Sequence, residues 1–219
     1  MTIQIELDYP EPQPVQLDPA RTLLVIVDIC NETCNPKGHR YGGEIVSRII
    51  PPNVELRRRV REAGGQVIHT QSVRAPDALE FKMGNSVHHL EGSWGADFVD
   101  ELRPAPDEHV VVKRSHDCFN NTEMESLLQR LGAQPGETQV IVTGTATRGC
   151  VECAVKGFSV RDYYVYVPMD CTAQRDEREI LLAFDHFTGW GYRYNTTMTK
   201  SDLISFAPAR VAVERVRAS

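Results

Sequence analysis

The chain has 219 residues, 41% of them hydrophobic, enough to bury one substantial core and a better fit to one α/β domain than to two small ones. Its net charge of −6 offers no basic surface to a phosphate backbone, so no nucleic-acid partner is expected and a small molecule is favoured. No apolar run is long enough to span a bilayer, and the opening residues lack the basic and apolar regions of a signal peptide, so a cytoplasmic protein without a membrane partner is expected.

Pro10, Pro12, Pro14 and Pro19 crowd the first twenty residues. They rule out a helix or a paired central strand, and predict an extended arm over 1–20, lying on the surface or on a neighbouring subunit, ahead of a single domain over 21–219. Thr22 to Val27, TLLVIV, is a continuous apolar run of strand length, as expected of a parallel strand buried on both faces. A polar loop from Asp28 to Gly43 leads to a helix with Pro51 and Pro52 near its first turn and Gly64 and Gly65 closing it. A strand follows over Gln66 to Thr70. The stretch from Ser72 to Arg103, which holds His88, His89 and Trp94, is too long for a plain connector and predicts an excursion over a site.

Val110 to Val112 predicts a third strand ending at Lys113, and Thr122 to Glu125 has capping-box form at the head of a helix running to Leu131. A strand is predicted over Gln139 to Thr143, a helix over Cys150 to Val160, and a strand over Tyr164 to Val167. After these come a helix over Asp176 to Phe187, an aromatic strand around Tyr192 to Thr196 and a final short helix. Strands alternating with helices in this way predict an α/β, doubly wound, mostly parallel, Rossmann-like sheet.

Ligand sites in open α/β sheets lie beyond the carboxyl ends of the strands. Three polar features stand at such ends: Asp28 after TLLVIV, Lys113 after HVVV, and the segment Gly144 to Cys150 after QVIVT. Cys150 is placed where a loop turns into a helix, so the helix N-terminus and a nearby ammonium would lower its pKa and favour a thiolate. The same turn would aim backbone N–H groups at whatever bonds to the sulfur. Asp28 could take the thiol proton and return it to a leaving amine, with Lys113 holding the carboxylate. Six scattered cysteines, Cys30, Cys34, Cys118, Cys150, Cys153 and Cys171, read as reduced thiols, most of them small buried hydrophobes.

From about Thr22 to Phe206 the chain resembles the isochorismatase-like cysteine hydrolases, the group that includes nicotinamidase, N-carbamoylsarcosine amidase and ureidoacrylate amidohydrolase. The resemblance is carried by LLVIVD ending at Asp28, EGSWGAD from Glu91 to Asp97, VVVK ending at Lys113 with FNNT from Phe119 behind it, and VTGTATRGCVECA around Cys150. It implies a six-stranded parallel sheet with helices on both faces and a triad of Asp28, Lys113 and Cys150. It further implies a cis peptide between Thr145 and Ala146, an oxyanion hole from the N–H groups of Ala146 and Cys150, and a thioester intermediate with loss of ammonia or an amine. With the proline-rich arm, the family habit favours a homodimer or homotetramer.

The departures narrow the substrate. Where nicotinamidases carry an Asp-x-His metal pair, this chain has Ser72, Val73 and Arg74, so no catalytic metal and no cofactor are expected. Adjacent histidines point in different directions and rarely chelate one ion, so His88 and His89 read as loop residues. Cys30 and Thr33 replace the usual amide and aromatic residues after the catalytic Asp, which disfavours pyridine amides. Arg74 either clamps a substrate carboxylate bidentately or is a surface arginine on a loop. Trp94 is a pocket wall or a packing anchor, and Phe119 and Gln174 are further candidates for substrate contact. The expected substrate is a small amide or ureido compound, with Arg74 favouring one that carries a carboxylate.

Three other readings compete. Cys150 and Cys153 form a C-x-x-C at a helix start, compatible with a thiol redox protein. Cys30, Cys34, Cys150 and Cys153 have spacings acceptable for structural zinc. A catalytically silent binding protein on the same fold is the third.

Overall fold

The computed structural model describes residues 7–208. Among these residues, nine strands and seven helices follow one another in chain order. The first half holds β1 (Val15–Leu17), β2 (Thr22–Val27), α1 (Asn31–Cys34), α2 (Glu44–Ser47), α3 (Ile50–Ala63), β3 (Gln66–Ser72), α4 (Leu79–Lys82) and β4 (His109–Lys113). The second half holds α5 (Met124–Arg130), β5 (Gln139–Thr145), α6 (Glu152–Ser159), β6 (Tyr164–Pro168), β7 (Thr172–Ala173), α7 (Glu177–Thr188), β8 (Thr196–Thr199) and β9 (Ile204–Phe206).

The main sheet runs β4-β3-β2-β5-β6-β8 with every pairing parallel, and β7 adds a two-residue pairing to the end of β5. The seventh strand exceeds the six expected because the chain after β6 turns back along Gly144 and Thr145 before entering α7. Chain direction across the sheet reverses between β2 and β5, and this switch leaves a crevice at their carboxyl ends.

Side chains alternate along a strand, so a sheet buried on both faces feeds two cores. Leu23, Val25 and Val27 of β2 join Ile68, Val140 and Val142 in a core closed by α5, α6 and α7, through Leu127, Phe158 and Phe184 among others. Leu24 and Ile26 point the other way, with Val67 and Ile141, into a core closed by Val46 of α2 and Leu56 and Val60 of α3. Gly64 ends α3 with φ +96°, its N–H returning to Val60 and Arg61 carbonyls, as the paired glycines predict.

The proline-rich arm is extended along its own chain: β1 lies parallel to β9, and Gln13 donates its N–H to Met198 O at 2.9 Å. Other expectations need correction. Thr122 does accept a backbone N–H, from Met124 at 3.2 Å, but no capping box forms because Glu125 is turned to Arg161. The aromatic segment from Tyr192 is a turn, and the strand starts at Thr196, where side chains can alternate into the core. A 3-10 turn and β9 follow β8; the expected final helix lies outside the described residues.

Candidate active site

Asp28 is the first residue beyond β2, and Lys113 is the last of β4. The strand β3 lies between them, so two spacings of about 4.8 Å must be crossed, a span suited to a long lysine stem. Lys113 Nζ reaches Asp28 Oδ2 at 2.7 Å, with the lysine side chain fully buried. The same ammonium donates to Cys150 Sγ at 3.1 Å and to Ser115 O at 3.0 Å. The structure thus brings the three expected residues together around one cation.

Asp28 holds a left-handed backbone, φ +49°, which is unfavourable for a residue with a Cβ and persists only under several restraints. Its N–H reaches Thr70 O, its carbonyl accepts from Thr145 Oγ1 at 2.9 Å, and its Oδ1 accepts from Thr70 Oγ1 at 2.7 Å. The carboxylate is therefore aimed before any ligand arrives.

After β5 the chain passes through Ala146 into a kinked turn, Thr147–Val151, in which Arg148 and Gly149 leave helical backbone geometry, and which carries Cys150 to the head of α6. The peptide between Thr145 and Ala146 is cis. Contrary to expectation, the Cys150 thiol is not held low. Burial first, and then the Asp28 carboxylate, push it well above the ordinary cysteine value, and Lys113 offsets them only in part. Burial also works against the Lys113 ammonium, but Asp28 and Cys150 outweigh it and keep that group above the ordinary lysine value. The resting site therefore holds an ammonium and a protonated thiol.

A cavity of about 580 Å³ opens onto Asp28, Thr145, Ala146 and Cys150. The excursion after β3 borders it through Arg74, Glu80, His88 and His89. Arg74 is 8% exposed, so it is no surface arginine; Glu80 takes its Nε, and Ser72 Oγ takes Nη1 at 2.9 Å. His88 Nε2 lies 3.2 Å from Glu80 Oε2, and the two histidines face each other with Nδ1 atoms 2.8 Å apart. His89 Nε2 is 3.3 Å from Cys30 Sγ.

Burial and the cations nearby push both imidazoles down, His89 to about 4, so both are neutral near pH 7. One pattern of protons then satisfies the chain: His88 donates to Glu80, His89 donates to His88, and the Cys30 thiol donates to His89. The loop histidines expected to point apart are joined because the left-handed backbone of His89, φ +49°, turns its ring toward its neighbour.

Gln174 also borders the cavity and accepts the Arg148 N–H at 2.8 Å. Two other candidates do not border it. Phe119 sits in the core against Phe158, in space left by Gly157, where a Cβ would fall 2.6 Å from the ring. Trp94 starts a 3-10 turn that buries Gly95 and Ala96 and gives its carbonyl to Asn31, while the residue itself stays 49% exposed. Among the described residues, no three His, Cys, Asp or Glu side chains converge as metal ligands, so Cys30, Cys34, Cys150 and Cys153 do not form the zinc set their spacing allows. No helix among them is long and apolar enough to cross a membrane.

Arg40, Glu80, His116 and Arg175 border the cavity without having been singled out in the sequence. Their chain positions offer a signal: Arg40 is in the polar stretch after Asp28, His116 is three residues past Lys113, and Arg175 follows Gln174.

Residues 22–201 match the Isochorismatase domain family. The ureidoacrylate amidohydrolase RutB of Methylobacterium radiotolerans is 30% identical over 207 residues, covering 82% of this chain and 79% of that protein. Among solved structures, N-carbamoylsarcosine amidase from Thermoplasma acidophilum superposes with a TM-score of 0.70 at 25% identity, over 83% of this chain and 97% of its own. Nicotinamidase PncA from Bacillus subtilis has a TM-score of 0.73 at 18% identity, over 82% and 99%, and shares the fold.

Proposed function

The chain belongs to the isochorismatase family of hydrolases, and on that premise we propose that it is a metal-independent cysteine hydrolase cleaving an amide, ureide or carbamoyl C–N bond of a small molecule. The observation that carries this reading is the buried Lys113 ammonium seated between Asp28 Oδ2 and Cys150 Sγ, two residues that border the cavity.

When substrate arrives, the Cys150 thiol passes its proton to the Asp28 carboxylate, and the sulfur bonds to the carbonyl carbon. The Ala146 and Cys150 N–H groups receive the oxyanion. As the C–N bond breaks, Asp28 delivers the proton to the leaving nitrogen, releasing ammonia or an amine and leaving a thioester on Cys150. Water then attacks the thioester, gives a proton to Asp28, and expels the sulfur, which recovers its proton. Lys113 keeps its charge throughout and steadies the thiolate as it forms. A high resting thiol pKa suits this sequence, since the thiolate is needed only once the substrate carbonyl is in place.

Two observations support a metal-free site. Ser72 and Arg74 stand where an Asp-x-His pair would be required, and Arg74 is committed to Glu80. A panel of ureido acids, carbamoyl amino acids and small amides, assayed for ammonia release, tests the proposal. Release should occur with the wild type and vanish in Cys150→Ala, and acid-quenched protein should carry an acyl mass on Cys150. Turnover retained by Cys150→Ala, or no release from any member, would refute it.

A further inference from the structure

We propose that the cavity selects a dianionic substrate, an amide or ureide whose remote end carries two carboxylates held by Arg40 and Arg175. This rests on the hydrolase reading above and names the substrate class of the same site.

The inference comes from pairing off the charges that border the cavity. Asp28 is matched by Lys113 at 2.7 Å, and Glu80 is matched by Arg74. His39 faces Glu32 at 3.5 Å. Burial and neighbouring cations lower His88, His89 and His116, which therefore add no charge near pH 7. No acid bordering the cavity is left over. Arg40 and Arg175 remain, both exposed, and among the described residues neither guanidinium has a carboxylate partner. Arg148 nearby, by contrast, is taken by Glu179 at 2.7 Å.

The uncommitted charge of the cavity is therefore +2, in a protein whose net charge is −6. The two arginines come from either side of the topological switch, Arg40 from the chain after β2 and Arg175 from the chain after β7, which pairs with β5. Arg40 also bears electrostatically on both His88 and His89, on the excursion wall. Arg74, for which a carboxylate clamp is one of two readings from sequence, is already neutralised by Glu80 and does not take this role. A volume of about 580 Å³ exceeds what a bare amide fills and lies within the roughly 300–1,000 Å³ of cavities that enclose larger ligands. Guanidinium groups are suited to bidentate carboxylate binding.

Calorimetric titration of the full chain with succinate, propionate and inorganic phosphate tests the site without relying on turnover. Succinate should bind about tenfold more tightly than propionate, as one added charge-assisted pair predicts. The preference should disappear in Arg40→Ala/Arg175→Ala and persist in large part in Arg40→Lys/Arg175→Lys. Equal binding of succinate and propionate, a preference that survives the double alanine substitution, or phosphate binding more tightly than succinate would each overturn the proposal. In catalysis, kcat/KM for N-carbamoylaspartate over N-carbamoylalanine should be about ten and fall toward one in the double alanine variant, through KM. Succinate preference without hydrolysis of any substrate would remove the hydrolase reading and leave the anion site; hydrolysis without the preference would do the reverse.

Discussion

The buried Lys113 ammonium lies 2.7 Å from Asp28 Oδ2, and the same nitrogen is 3.1 Å from Cys150 Sγ, so one cation touches both members of the proposed proton-transfer pair. Lys113→Met keeps the stem and removes the charge, leaving Asp28 buried and uncompensated. Breaking such a pair costs about 3–5 kcal/mol. Thermal melting should fall by about 10 °C, and ammonia release by about a thousandfold, because the forming thiolate loses its counter-charge. Melting and turnover both close to wild type would show that the ion pair has no such part.

Asp28→Asn should separate reactivity from catalysis. Burial and the carboxylate raise the Cys150 thiol and Lys113 lowers it, so removing the carboxylate leaves burial alone to oppose the cation and the thiol pKa drops. Near pH 7 the variant should be alkylated at Cys150 by iodoacetamide faster than wild type, yet release no ammonia, since the base is gone. In the wild type, alkylation should keep rising with pH beyond the ordinary cysteine range of about 8.5. Mass mapping of the alkylated cysteine over a pH series provides the check, and slower alkylation in Asp28→Asn would contradict the electrostatics.

Much of this site was legible in sequence because strand ends are local signals: TLLVIV stops at Asp28, HVVV at Lys113, and QVIVTGT leads into the turn before Cys150. What was illegible depends on partners distant in the chain. The pairing of β1 with β9 joins residues 15–17 to 204–206, three-residue strands too short for periodicity to register. Arg74 has the same chemistry on a surface loop as in a wall; only Glu80, brought back by α4, decides between them. The direction of the Cys150 pKa shift was misjudged because a helix terminus and a lysine are visible locally, whereas burial and the approach of Asp28 from another strand are not.

Gly144 connects the fold to the site. It stands in register with Val27 at φ +110°, and a Cβ there would lie 1.9 Å from Val27 O, beside Asp28. Gly144→Ala must push β5 from β2 at the topological switch and should cost at least about 4 kcal/mol, with loss of turnover. Gly136→Ala is the comparison: φ is +73° but nothing lies within 4 Å, so only the left-handed backbone is penalised, at about 1–2 kcal/mol. Denaturant unfolding of the two variants isolates the steric part, and equal losses would show that the close approach carries no weight.

Glu108 sets an acid limit away from the site. Its buried carboxylate accepts from Arg57 Nε and Arg61 Nη1, each at 2.7 Å, from Ala105 N at 2.9 Å, and lies 3.0 Å from His69 Nε2. Burial would raise its pKa, but the donors outweigh burial and bring it down to about 2. An unfolded glutamate titrates near 4.3, so the unfolded chain takes up this proton first as pH falls. The stabilisation is complete above about 4.3 and is lost progressively as pH falls toward about 2. Glu108→Gln should lower stability by about 3 kcal/mol at pH 7, by leaving the Arg57 charge uncompensated. The gap in melting temperature between wild type and variant should narrow as pH drops from 5 to 3, because only the wild type has this carboxylate to protonate. A gap of constant width over that range would mean that the acid sensitivity resides in other groups.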